Sequence, residues 1–172
     1  APVKRILAIG LMFFALIACS PPAPEDDILD LKEKIIDLQN RGSLGFQNFT
    51  LCSKIFGFGS YVPLERPVMD KNGGLLVYYE PSNVYTSRKE GLYEIWYTQD
   101  MILLDGKGEV IQEWKDILEF HYTTRKPVLD LFARNSLDLA GQLPPGTYGF
   151  KAVIKDKLAD RKAEHTVTFE IR

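Results

Sequence analysis

The chain has 172 residues, 45% of them hydrophobic and 12% aromatic, with a formal net charge of −2. That length suits one domain with attachments, and enough apolar and aromatic residues are present to fill a core, which excludes global disorder. There is no basic block or basic-aromatic patch to support a nucleic-acid partner, and two cysteines, Cys19 and Cys52, make no disulfide framework.

The first elements read as an export signal. Lys4 and Arg5 form a short positive region, and residues 6–18 follow, thirteen in a row without a charge. A spanning helix needs about 20 apolar residues, whereas a signal-peptide core has about 7–15. The run closes on Leu16-Ile17-Ala18-Cys19. This tetrapeptide resembles the lipobox of bacterial lipoproteins. The resemblance implies that 1–18 is a lipoprotein signal peptide cut after the small Ala18. It also implies that the Cys19 thiolate, the nucleophilic form of the side chain, takes up a diacylglyceryl group. The new amino terminus is then acylated in turn; several chains anchor stably where one binds only marginally. Losing Lys4 and Arg5 and no acid leaves a charge of −4. By resemblance to the lipoproteins of two-membraned bacteria, Ser20, where a retention signal would place Asp, implies the outer membrane facing the periplasm; in a bacterium with one membrane the anchor would be the outer face of that membrane.

Residues 19–26 carry Pro21, Pro22 and Pro24 and are expected to be an extended linker, not a helix. Residues 27–41 read as an amphipathic helix. Asp26 and Asp27 serve its start, Ile28, Leu31, Ile35 and Leu38 form an apolar stripe, and Gly42 fits a C-terminal cap. The stripe either packs on the chain's own domain or makes a short oligomerising stalk; two heptads are fewer than the ~3–4 that secure a coiled coil. Residues 42–48, with Gly42, Ser43 and Gly45, read as a flexible joint.

From residue 49 the apolar period changes to two. Candidate strands are 52–58, 75–79, 92–104, 109–114, 117–123, 128–139, 148–155 and 163–171, with Asp105-Gly106-Lys107-Gly108 as a hairpin turn. Seven or eight strands and no strong helix predict an antiparallel β-sandwich over 49–172, a unit expected to fold alone. Leu143-Pro144-Pro145-Gly146-Thr147-Tyr148 resembles the tyrosine corner of immunoglobulin-like sandwiches, with Trp96 the candidate core tryptophan. The order of the Cys52-Ser53-Lys54 opening, Leu76-Val77-Tyr78-Tyr79-Glu80, the 103–108 turn, the proline corner and the final hairpin is similar to an uncharacterised family of bacterial envelope proteins with one immunoglobulin-like domain. The resemblance implies fold and compartment, and nothing about catalysis.

Chemistry is sparse. Glu119 and His121 share a strand face, but one histidine and one carboxylate fall short of the three or four ligands of a zinc site. His165 falls on an apolar face and reads as structural. No nucleophile elbow, zinc-protease helix or phosphate loop occurs, and Gly57-Phe58-Gly59 reads as a bulge or close backbone approach. Cys52 reads as a small buried hydrophobe, with a reactive thiol as the alternative. Tyr78, Tyr79, Tyr85, Tyr93, Trp96, Tyr97 and Trp114 are either core or, if several face out, a sugar platform; Tyr78 and Tyr79 must point to opposite faces. The expectation is therefore a non-catalytic envelope lipoprotein without cofactor or metal, lipidated at Cys19 and displaying an interaction module. Its partners are the membrane, through the lipid, and an envelope protein or glycan; the 27–41 helix offers a route to oligomers. The alternatives are carbohydrate or peptidoglycan binding through exposed aromatics and a protease-inhibitor-like module.

Overall fold

A computed structural model of the protein describes residues 24–70, 73–139 and 141–172. The expected signal peptide, Cys19 and most of the linker lie outside them. Helix α1 (Pro24–Arg41) begins on a proline, inside the segment expected to be extended. The first helical turn accepts proline because its N–H has no intrahelical partner there. Acidic residues in the first turn and Arg41 in the last complement the helix dipole.

The helix is packed on its own domain, but not through the apolar stripe. Ile36 is the residue that is fully buried, while Ile28, Leu31, Ile35 and Leu38 are 53, 58, 41 and 62% exposed. The docking face is largely polar. Tyr93 donates its hydroxyl to Glu33, Arg88 pairs with Asp37 at 2.6 Å, and Gln39 donates to Leu129 O. The Asn40 amide exchanges two hydrogen bonds, 2.9 and 2.8 Å, with the Thr86 backbone, so a side chain stands where a neighbouring strand would. The helix closes as the Gly42 N–H bonds to Leu38 O and Gln39 O. A Cβ at residue 42 would lie 2.5 Å from Asn83 Cγ, so glycine is needed here for close approach.

Ten strands follow among the described residues: β1 (Gly45–Gly57), β2 (Ser60–Pro63), β3 (Val68–Met69), β4 (Gly74–Ser82), β5 (Thr86–Lys89), β6 (Leu92–Leu104), β7 (Val110–Thr124), β8 (Ala133–Asp138), β9 (Gly146–Asp156) and β10 (Arg161–Ile171). β1 takes in Gly45 to Asn48, which had read as a joint. Asn48 sits at positive φ (51°) where the β1–β4 register shifts, and its side chain holds Glu80 at 2.8 Å. β2, β3 and β5 are too short to leave a period. The two candidates 109–114 and 117–123 are one strand, β7, joined through a bulge in which residues 115–117 face Asp100 of β6. Asp116 there has φ 47°; its N–H bonds to Asp100, and Lys155 bridges both carboxylates at 2.7 Å.

The strands form two sheets. One runs β2-β1-β4-β8, the other β3-β10-β9-β6-β5, with β7 paired along the far side of β6. Every pairing is antiparallel except β3 with β10. The protein is therefore mainly β, two sheets around one apolar core. Alternate residues supply that core: Leu75, Val77 and Tyr79 from β4, Ile95, Tyr97, Met101 and Leu103 from β6, Phe150, Ala152 and Ile154 from β9. Phe49 stacks on Tyr79 at 5.3 Å and Phe46 meets it edge-on at 5.0 Å. Each such side chain stabilises by about 1.5–3 kcal/mol on burial. Gln99 takes a core position in β6; Tyr79 Oη donates to it, and it donates to Asn135 of β8 at 2.6 Å. This chain links three strands across both sheets, and burial holds the Tyr79 hydroxyl well above its ordinary pKa.

Candidate functional site

The residues singled out for chemistry are engaged in structure. Trp96 lies on the outer face of the six-stranded sheet, not in the core. His121 stacks on it at 4.5 Å, the indole N–H donates to Glu119 at 2.8 Å, and His121 Nε2 meets Glu94 at 2.8 Å. Glu119 and His121 do share a face, yet each is turned to a different neighbour. Among the described residues no group of three His, Cys, Asp or Glu is placed to hold a metal. His165 leans on Phe49 with ring centroids 4.5 Å apart. Cys52 is buried; desolvation raises its pKa against an opposing hydrogen bond from the Tyr78 backbone, which keeps the sulfur a thiol.

The aromatic set is mostly interior. Tyr78, Tyr79, Tyr93 and Tyr97 are buried, and Tyr85, Trp96 and Trp114 are partly covered. Tyr78 and Tyr79 do point to opposite faces, but both faces at that position are covered. Tyr79 enters the core, and Tyr78 lies beneath the β1–β2 hairpin.

That hairpin is the surface the sequence reading missed. After Leu51 the β1–β4 pairing ends, and β1 continues with β2 as a two-stranded arm. Tyr61 stacks on Tyr78 at 4.1 Å, and Phe132 covers the same ring at 5.9 Å. At the tip, Gly59 adopts φ 64° and its N–H donates to Tyr78 Oη at 2.7 Å. Tyr78 Oη in turn donates to Glu80 at 2.6 Å. Desolvation and the Glu80 carboxylate push the Tyr78 hydroxyl up to about 12. The arm is thus pinned at its tip and middle. It leaves Phe56 70%, Phe58 47% and Val62 44% exposed, and Phe132, stacked on Tyr78, is 39% exposed. Phe58 also lines a polar cleft of about 120 Å³ with Gln39, Gln47 and Glu80. The signal was Gly57-Phe58-Gly59, where a large apolar side chain sits between two residues that cannot shield it.

At the opposite end of the chain, Tyr148 Oη donates to Pro144 O at 2.7 Å. The expected corner hydrogen bond is present.

No family model matches the chain, and no curated protein does. Among solved structures, it is similar to an alkylpurine DNA glycosylase of Pseudomonas fluorescens, with TM-score 0.44 and 8% identity over 86% of this chain and 36% of that one. It is similar also to a family 123 glycoside hydrolase of Clostridium perfringens, with TM-score 0.42 and 7% identity over 76% of this chain and 27% of that one. The chain spans between about a quarter and a third of the length of these proteins. Likeness at that level carries no argument about activity.

Proposed function

We propose that this is a membrane-anchored envelope lipoprotein whose immunoglobulin-like β-sandwich serves as a non-catalytic interaction module, with the pinned β1–β2 hairpin as its contact surface. The single observation that carries the contact surface is that Phe56, Phe58 and Val62 are exposed on a hairpin held by Tyr61, Tyr78 and Glu80, while Phe132, also exposed, stacks on the same Tyr78 ring. Several large apolar side chains left exposed on one fixed element favour a partner more than solvent. Support for the anchor is the Leu16-Ile17-Ala18-Cys19 box after its uncharged run. Support for the immunoglobulin-like form is the two-sheet core and the Tyr148–Pro144 corner. The outer membrane is the proposed location.

Two measurements test this reading. Mass spectrometry of the mature protein is expected to find an acylated amino terminus at Cys19, and Cys19→Ala to leave an unlipidated precursor; an unmodified start elsewhere overturns the anchor. In the native envelope, crosslinking is expected to join the protein to a partner, and Phe56→Ser with Phe58→Ser to abolish that product while folding and anchoring persist. An unchanged crosslinking pattern removes the hairpin from the proposal.

A further inference from the structure

The domain leaves the apolar stripe of α1 uncovered. We propose that α1 lies along the surface of a phospholipid bilayer, seating Ile28, Leu31, Ile35 and Leu38 at the border of headgroups and acyl chains and so fixing the orientation of the whole domain. This rests on the proposed anchoring at Cys19.

Three observations point to a lipid surface. First, the stripe and the dock share one helix but face apart: Ile36 is buried against the domain while Ile28, Leu31, Ile35 and Leu38 are exposed, and at about 100° per residue the centre of the stripe lies roughly opposite the centre of the docking residues Glu33, Ile36, Asp37 and Asn40. The helix cannot turn to hide the stripe without breaking the Glu33, Asp37 and Asn40 contacts. Second, only four residues separate Cys19 from Pro24. At about 3.3–3.6 Å per extended residue, a lipidated Cys19 keeps the start of α1 within roughly 18 Å of the acyl chains it carries. The 18-residue helix then runs about 27 Å from that point. Third, Lys32 and Lys34 flank the stripe in the helical projection, beyond Gln39 on one side and Asp27 on the other. Lys32, Arg125 and Lys126 also line a groove of about 410 Å³ with Ile28, Leu29 and Pro127. Basic residues edging an apolar stripe place their stems along acyl chains and their charges among phosphates, the pattern of a helix lying in a bilayer surface. Glu25 and Asp26 also line the groove. The stripe therefore supplies the apolar attraction, and Lys32, Arg125 and Lys126 meet the phosphates. A second copy of the chain fits less well: four partly covered side chains fall well short of the ~800 Å² per partner of a stable interface.

The test uses the full lipidated protein in phosphatidylethanolamine–phosphatidylglycerol vesicles, with a nitroxide on Leu31→Cys or Ile35→Cys. Lys107→Cys is the aqueous reference. It lies in the turn after Leu104, eleven residues along β6 from the Tyr93 that meets the helix, or about 36 Å. Acylated Cys19 and buried Cys52 leave the introduced thiol as the one labelled. On vesicles, collisions with oxygen relative to a water-soluble nickel complex are expected to rise several-fold at 31 and 35 and stay unchanged at 107. If the protein floats with the vesicles but 31 and 35 behave like 107, the inference is overturned and the anchor stands. Dipolar broadening between labels at 31 assigns the stripe to a second copy and overturns it too. If the protein fails to float, or Cys19 itself takes the label, the anchor reading falls and this inference falls with it.

Discussion

Asp156 and Arg161 form an ion pair that joins three parts of the fold. Asp156 is fully buried and accepts from the backbone N–H groups of Tyr85, Leu158 and Ala159. Arg161 donates to Asp156 at 3.0 Å and to Gly42 O and Asn83 O at 2.8 Å each. One guanidinium thus ties the end of α1, the β4–β5 connection and the β9–β10 hairpin together. Arg161→Met is expected to destabilise by about 3 kcal/mol, because it leaves a buried carboxylate without its counter-charge; urea denaturation measures this, and an unchanged midpoint refutes it. Arg161→Lys is expected to recover part of the loss, since a lysine keeps the charge but not the fork. At the other corner, Tyr148→Phe removes one hydrogen bond to Pro144 and is expected to cost about 1 kcal/mol in the same assay. Asp105 adds a pH dependence. Its carboxylate accepts from the Glu109 and Lys107 N–H groups, and chiefly the Glu109 bond holds its pKa below the usual carboxylate range. A lowered folded-state pKa means the turn is stabilised above the unfolded value near 3.9 and loses that contribution as pH falls through the folded value. Asp105→Asn is expected to flatten the acid limb of stability against pH; an identical limb in both proteins counts against the turn.

At the scale of the element, α1 separates two properties that the sequence presents as one. Amphipathic periodicity was legible, and the helix is there, yet the stripe at 28, 31, 35 and 38 is not what docks. Docking depends on Ile36 and on polar residues whose partners, Thr86, Arg88, Tyr93 and Leu129, lie 46 to 90 residues away. No local pattern encodes those partners. Ile36→Ala is therefore expected to cost about 2–5 kcal/mol by opening a cavity under the helix, and Leu38→Ser to change stability by no more than about 0.5 kcal/mol in solution. Comparable losses from both would contradict the docking geometry. β7 teaches a related lesson. It is a long edge strand with exposed Val110, Ile111, Ile117 and Tyr122, and the bulge locked by Asp100, Asp116 and Lys155 breaks its straight edge in the middle. Such bulges discourage another strand from pairing along an edge.

Across the whole molecule, helix and sheets share their supports. β1 begins at Gly45, and Gly45 to Gln47 pair with Glu80 to Ser82 of β4, while Phe46 packs on Tyr79. A chain starting at Phe49 lacks these contacts as well as Ile36. It is expected to be at least about 3 kcal/mol less stable than one starting at Pro24, given about 1.5–3 kcal/mol for each large apolar side chain returned to water. Equal denaturation midpoints for the two chains would show that α1 and the start of β1 are accessory.

The sequence by itself determined the mainly β character, the strands at 92–104, 148–155 and 163–171, the Asp105 turn and the Tyr148 corner. The β character, the strands and the turn rest on period-two alternation and short-range turn chemistry, which act over a few residues; the corner was legible through its resemblance to the tyrosine corner of immunoglobulin-like sandwiches. Tertiary structure alone decided which side of α1 is covered, that Trp96 faces outward, that Tyr78 is sealed beneath a hairpin, and that Phe56 and Phe58 are left in the open. Each depends on contacts between residues distant in sequence: the hairpin reaches Tyr78 only because β1 leaves β4 after Leu51. Alternation assigns a residue to one of two faces, but it cannot say which face another part of the chain will cover.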